Sequence, residues 1–477
     1  MTLRTAACAL LCAASSAPAQ LSITDPAQGV FNFPAPTGEL SGLTWLADSS
    51  WLAISDAAGE RRTAQLDIAI DPATGRITSA RQSAAFTLAA GYDLEGIAWS
   101  PERNAFFVSD EGAWPDGGHL REHSLPDGDL LRSIPIPAIL LNDRQNFGFE
   151  SCSWNAGALW TANEEALAHE SALASATEGS LVRIQRFNHA LQPAGQWAYR
   201  TDSFGVDSSL TTLERSGVSD LCALPDGQLL VLERTLGTSF LPSYRNRIYL
   251  VSFAAATDTS NLSDLDTAPH LAVTKTLLWE RNLGSVTTRN FEGIALGPPL
   301  PALGPDAFSL ILIADNGGDA NGTQHLYPLV LRGLTAPPPT TLWRMACFGA
   351  AEPTGNADPA ADPDGDGLSN LTEYALGGNP LSPSPHILPS ALTLEDSLGL
   401  SFQRYPSRSD LTLMVESASS PHGPWQSIAR STAGNPFTAL TTEAFITESG
   451  PPHQRFVAVS LPANPTRLFL RLAISSP

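Results

Sequence analysis

Apolar positions along this chain come in short runs, broken by turn signals such as Asp71-Pro72, Pro126-Asp127-Gly128 and Pro225-Asp226-Gly227. Runs of that length predict β-strands. The runs also repeat. Leu40-Ser41-Gly42-Leu43, Leu94-Glu95-Gly96-Ile97, Phe149-Glu150-Ser151-Cys152, Val218-Ser219-Asp220-Leu221 and Phe291-Glu292-Gly293-Ile294 share one pattern, at spacings of 54, 55, 69 and 73 residues. Each is followed by a second apolar run ending in an acid, at Asp56, Asp110, Glu164, Glu233 and Asp315. A third run follows in every unit and a fourth in four of the five. Antiparallel four-stranded units at a steady period predict an all-β fold, a β-propeller with five counted repeats. The count stands at five or six blades, since a degenerate sixth fits within residues 254–286. The fifth unit lacks a fourth strand after Leu331, and residues 21–33 are expected to supply it, closing the ring and hiding sheet edges. A stacked β-sandwich is the alternative, but it does not require one acid at one place in each repeat.

In a propeller the innermost strands line a central channel, so one position per repeat recurs around the axis. Here that position holds Ser41, Glu95, Glu150, Ser219 and Glu292, with Asp220 adjacent. Crowded carboxylates raise each other's pKa unless a cation neutralises them, and hard oxygen ligands suit Ca²⁺ first, then Mg²⁺ or Mn²⁺. Glu95, Glu150 and Glu292 are expected to hold the cation, with Asp220, Glu233 and Arg234 orienting substrate or water. The competing reading is structural, with each Glu before Gly accepting backbone N–H bonds. Acids at the ends of the second strands read equally well as turn formers. Arg234 beside Glu233 and Arg289 beside Asn290 are suited to pair with them. The chain has no G-x-S-x-G elbow and no HExxH, and its nine histidines do not follow the repeat. Metal-activated water is therefore the expected nucleophile.

Composition narrows the partners. The 477 residues carry 27 Lys+Arg against 48 Asp+Glu, a formal charge of −21, and Lys275 is the one lysine. Nucleic acid and anionic lipid are excluded on that balance. Arg4, an apolar stretch over 6–14 and Ala17-Pro18-Ala19 predict a signal peptide over 1–19 and a secreted or periplasmic chain. Cys12 after Leu11 fits a lipobox poorly. No later apolar run is long enough to span a membrane. Cys152, Cys222 and Cys347 remain, without CxxC spacing, and read as buried thiols, with a Cys152–Cys222 bridge as the alternative.

Residues 20–334 thus form the propeller, and 335–357, with Pro337-Pro338-Pro339, a Pro-rich linker. Within 358–380, Asp362, Asp364 and Asp366 occupy positions 1, 3 and 5 of a twelve-position calcium loop, with Gly367 at the turn. The Leu368 carbonyl, Asn370 and Glu373 complete the ligand set. A helical run to Leu376 follows, with no helix evident before Asp358. The segment is similar to a single thrombospondin-type-3 or dockerin-like loop. Residues 386–477 alternate as a small antiparallel β-domain with Trp425 expected to be buried; contact with a cell surface or carbohydrate, or a sorting role, is open.

The propeller segment resembles the phytase-like family, esterase-like activity of phytase. The likeness rests on Asp93-Leu94-Glu95-Gly96 with Val108-Ser109-Asp110-Glu111-Gly112, Asn146-Phe147-Gly148-Phe149-Glu150, Gly217-Val218-Ser219-Asp220-Leu221, Leu230-Val231-Leu232-Glu233-Arg234, Asn290-Phe291-Glu292-Gly293 and Ile313-Ala314-Asp315-Asn316. It implies a hydrolase acting on a small phosphoester inside a propeller. With one lysine, the chain lacks the lysine-rich surround that the resemblance implies for phytate itself. A non-catalytic binding propeller and a lactonase-type hydrolase are the alternatives.

Overall fold

The second strand of each of the first three repeats is buried throughout, and the fourth is the most exposed of its blade, so the repeats pack through their inner strands. In the first unit, Ser50–Ser55 is buried throughout, whereas the outer Ile77–Thr87 is mostly exposed. The computed structural model describes residues 20–57, 61–112, 117–141, 144, 148–170, 172–204, 212–238, 243–281, 289–317, 322–394, 397–462 and 468–476. The expected signal peptide lies outside them.

Five antiparallel sheets form the blades. Blade 1 is Leu40–Ala47, Ser50–Ser55, Arg62–Ile70 and Ile77–Thr87. Blade 2 is Leu94–Ser100, Ala105–Asp110, His119–Ser124 and Leu130–Ile134. Blade 3 is Ser153–Asn155, Ala158–Ala162, Leu181–Phe187 and Pro193–Arg200. Blade 4 is Thr212–Ala223, Leu229–Thr238, Ser243–Ser252 and Thr274–Arg281. Blade 5 is Asn290–Pro299, Phe308–Asp315 and Thr323–Arg332, closed by the N-terminal Ser22–Thr24 and Phe31–Pro34. Ile23 pairs with Leu331 and Phe33 with Gln324, so the chain's start supplies the missing outer strand. The inner strands touch in the cyclic order of blades 1 to 5 and back to 1. Among the described residues no sixth blade occurs: 254–273 carries no strand, and Thr274–Arg281 is the outer strand of blade 4.

The core is a set of seams between blades. Leu46 and Ile54 of blade 1 pack with Leu94 and Phe106 of blade 2. Phe107 of blade 2 meets Trp154 and Phe187 of blade 3, and Trp160 of blade 3 meets Val218 and Leu229 of blade 4. Leu230 and Ile248 of blade 4 meet Phe291 and Leu312 of blade 5, and Ile311 and Leu326 of blade 5 meet Leu40 and Trp51 of blade 1. Burying about 25 cal/mol per Å² of apolar surface, each seam makes the ring stable only when every blade is in place.

The proline-rich segment is not an extended linker. Pro339–Phe348 is an α-helix, with a proline at its N-terminus and Gly349 left-handed at its C-terminus, and it buries Trp343 and Ala346. A second helix, Asn370–Leu376, is capped by the Ser369 side chain. Two four-stranded sheets follow, one of Ser390–Leu394, Ser397–Arg404, Phe445–Ser449 and Arg455–Pro462, the other of Thr412–Ala418, Gln426–Thr432, Thr438–Ala439 and Phe469–Ser475. They enclose Phe402, Val415, Ile428 and Val459, and Trp343 and Tyr374 join that core from the two helices. Trp425 is only half-buried, stacked against Arg471 at 4.3 Å. Cys152, Cys222 and Cys347 are free thiols, the first two buried. No helix among the described residues is long and apolar enough to cross a membrane.

Candidate functional site

The recurring position is a break in the ladder. Pairing between the first and second strands shifts between Leu40 and Gly42, Leu94 and Ile97, Val218 and Asp220, and Phe291 and Gly293. Ser41, Glu95, Ser219 and Glu292 therefore sit in β-bulges, which leave a residue unpaired and re-aim its side chain. In blade 3 Glu150 lies between the Phe149–Asn163 bridge and the strand starting at Ser153, again off the ladder.

The glycine that follows three of these bulges is required by the neighbouring blade. A Cβ on Gly42 would lie 2.5 Å from the Glu95 carbonyl oxygen, one on Gly96 2.4 Å from the Cys152 nitrogen, and one on Gly293 2.4 Å from the Ser41 carbonyl oxygen. The two serines are spent on the same seams. Ser41 Oγ donates to the Glu95 carbonyl at 2.9 Å and Ser219 Oγ to that of Phe291 at 3.3 Å. They staple blades and do not face the channel as donors.

The carboxylates separate into groups that the linear repeat does not show. Asp56, Glu292 and Asp315 each bring an oxygen within 4.8 Å of the others, and so do Asp93, Glu95 and Glu111. Glu150 is a member of neither triad but adjoins the second, with Glu164, Glu111 and Arg234 around it and Glu95 within its field. Glu95, Glu150 and Glu292 thus do not converge on a single cation position, although they share one acidic basin. The Arg234 guanidinium bridges Glu164 and Glu292 and donates to Asn290 Oδ1 at 2.9 Å. Arg215 holds the other Glu164 oxygen at 2.6 Å. Asn290 Nδ2 donates to Glu292 at 2.6 Å, and Glu111 accepts from the Gly148 amide at 2.6 Å.

Burial, and then mutual repulsion, pushes these acids up. Burial raises Asp56 to about 9, reinforced by Glu292 and Asp315. Glu292 rises to about 7 through burial, with Arg234 opposing. Glu95 and Glu150 are held well above the carboxylate range by burial first, then by Glu150 on the one and Glu164 on the other. Burial works against the Arg234 cation, but Glu164, Glu292 and Glu150 more than offset it and hold its pKa high. Glu292 Oε2 is buried without a hydrogen-bond partner. Carboxylates crowded in this way repel one another, and a cation among them would relieve that repulsion.

Two expected members belong elsewhere. Asp220 is 4% exposed, and its oxygens accept the amides of Leu221 at 2.7 Å and Ile294 at 2.8 Å. It takes the place that glycine holds in three other blades and ties blade 4 to blade 5, so it has no free oxygen edge for substrate. Glu233 faces away from Arg234, into the seam between blades 3 and 4. It accepts from Tyr199 Oη at 2.5 Å, the Asp202 amide at 3.0 Å and the Lys275 ammonium. The sole lysine is consumed there, 2.7 Å from Asp202 and over the faces of Tyr199 and Tyr249. Asp110, fully buried, accepts the amides of Asp93 and Gly112 at 2.9 Å and pairs with Arg121. Arg215 was not singled out from sequence, and Asp93 and Glu111 stood there within the family motif but not as candidate ligands. Asp93 stands two residues before Glu95, and that short acidic spacing was its one local signal.

In the tail, Asp362, Asp364 and Asp366 again bring oxygens within 4.8 Å of one another. Glu373 is fully buried with neither oxygen partnered, and its pKa rises to about 8 through burial and then through Asp364, Asp366 and Asp362. Asn370 donates to the Asn356 and Asp358 carbonyls at 2.7 Å each, leaving its Oδ1 unpaired. Leu368 anchors the loop in the core.

A model of the phytase-like family, described as esterase-like activity of phytase, matches residues 35–318. The chain belongs to that family. The match starts just before blade 1 and ends just after Asp315, so both basin triads of this phytase-like chain lie inside it. No curated protein sequence matches. Solved structures similar to it include hydrazine synthase of Kuenenia stuttgartiensis, at 11% identity over 60% of this chain and 79% of that one, TM-score 0.31. The Dos1 propeller gives 9% identity over 60% and 66%, TM-score 0.25, and a glycoside hydrolase 9% over 95% and 100%, TM-score 0.32. Likeness at those scores carries no argument about chemistry.

Proposed function

We propose that this phytase-like chain is a divalent-cation-dependent hydrolase of small phosphoesters, acting at the acidic basin where the inner strands begin. The observation that carries the reading is the pair of carboxylate triads, Asp56–Glu292–Asp315 and Asp93–Glu95–Glu111, around one shared space. All six ligands are hard oxygens, which favours Ca²⁺. When bound, such cations supply charge neutralisation and Lewis-acid polarisation of a phosphoryl oxygen. Glu150, a member of neither triad and protonated by burial in the metal-free basin, would be ionised by a neighbouring cation and could then take a proton from attacking water. Arg234, fixed by Glu164 and Glu292, orients a phosphoryl oxygen on its remaining edge. With Lys275 engaged elsewhere, the basin offers few cations of its own, which favours a substrate of low charge over a polyphosphate. A third Ca²⁺ is proposed for Asp362, Asp364, Asp366, the Leu368 carbonyl, Asn370 and Glu373, where it would stiffen the junction to the C-terminal domain. The signal peptide expected over 1–19 supports an activity outside the cytoplasm, where calcium is plentiful.

Turnover of p-nitrophenyl phosphate and bis-p-nitrophenyl phosphate with Ca²⁺, Mg²⁺ or Mn²⁺ tests the reading. Activity with at least one ion, abolished by chelation, is expected; no turnover with any of them favours a binding propeller.

A further inference from the structure

The opposite end of the channel is built differently. There the inner strands finish, and a cavity of about 240 Å³ lies between them and the helix Pro339–Phe348. Its propeller wall carries Trp45, Trp99 and Trp154, and its floor carries Trp343 and Tyr374. Arg408, from the C-terminal domain, lines it as well. Arg408 is 5% exposed and forms no ion pair with any described carboxylate; it donates to the Tyr374 carbonyl and stacks on Tyr405 at 4.1 Å. Glu102 is the one carboxylate whose field favours the Arg408 charge, and the two form no ion pair; a buried guanidinium with no ion-pair contact is costly, so the site gains by accepting an anion. The Trp99 and Trp343 indole N–H groups are also buried without a partner. Glu102, the acid on the propeller wall, is engaged by Ser100 Oγ at 3.0 Å and the Trp154 indole at 3.1 Å, which directs an anion towards Arg408.

We propose that this cavity binds an apolar monocarboxylate, its tail among the tryptophans and its carboxylate on Arg408. A dry cavity of about 150 Å³ admits benzene, so by proportion this one takes about ten heavy atoms. Octanoate has that size. The site is independent of the acidic basin and of the hydrolase reading.

Calorimetric titration of the full chain with octanoate, and with 1-octanol as the uncharged match, tests the proposal. One octanoate per chain is expected, at least about tenfold tighter than octanol, because a hydrogen bond to a charged group outweighs a neutral one by that factor or more. Arg408→Met should erase the preference, and Leu342→Trp, which fills the cavity from the helix, should abolish both. No saturable octanoate binding, equal affinity for the two probes, or binding unchanged in Leu342→Trp would overturn it. Should Arg408→Met fail to fold, the probe ratio on the unaltered chain and the Leu342→Trp result still decide.

Discussion

Gly96 shows how strongly one residue is dictated by a neighbour distant in sequence. Its missing Cβ leaves room for the Ser151–Cys152 backbone of the next blade, and its own amide donates to Ser109 Oγ at 2.8 Å. Gly96→Ala should cost about 1–3 kcal/mol in urea unfolding, as overpacking against backbone does. A neutral result would mean the inner strands pack more loosely. Asp220→Ala leaves two buried amides unpaired and should cost about 3 kcal/mol, whereas a substrate-orienting role would leave stability untouched. The basin acids carry a pH signature. In the metal-free chain Asp56 holds a proton up to about 9 and Glu292 up to about 7, above the values of the unfolded chain. The native state then binds more protons than the unfolded one, so stability falls as pH rises from the ordinary carboxylate range to about 9. Melting in chelator should show that decline and excess Ca²⁺ should flatten it; a flat profile in chelator would contradict the burial of these acids. At this scale the residue types were legible and their partners were not. Glu292 joins Asp56 because the ring closes, and no local pattern brings those two together. Bulges aim the glutamates, and the glycine within three of the five apolar runs was the visible trace of them.

Among the elements, the blades were legible because each repeats short apolar runs between turn residues, and the N-terminal closure was legible as the strand that the fifth repeat lacks. Removing residues 20–34 strips the strands paired to Thr323–Arg332 and bares that edge. Such a chain should elute as aggregates or unfold at markedly lower temperature; an unchanged monomer of unchanged stability would contradict ring closure by this segment. The helix Pro339–Phe348 was hidden because three consecutive prolines read as extended chain, although the last of them supplies a helix N-terminus whose amide needs no partner. The blade count stayed at five or six for a related reason: the outer strand of blade 4 comes after a long strandless excursion over 254–273, which looks in sequence like room for another blade.

For the whole molecule, the −21 charge resolves into particular places. Two carboxylate triads stand at one end of the channel and a third acidic cluster in the loop before the C-terminal sandwich. Glu373 connects that loop to the molecule's other half, since its neighbour Tyr374 packs on Trp343 and bonds Asp410 at 2.6 Å. Calcium should therefore raise the melting temperature, and Glu373→Gln should remove part of that gain while phosphoesterase turnover persists. Loss of turnover in Glu373→Gln would mean that the loop and the basin act as one site. The most direct test of the basin is elemental analysis of the purified chain after calcium loading, read beside turnover. Three clusters predict about three bound ions per chain. Glu95→Gln/Glu292→Gln, which removes one ligand from each triad, should leave about one ion and no phosphoester turnover. Retention of all the metal, or of turnover, in that double variant would contradict a metal-centred hydrolase at the acidic basin.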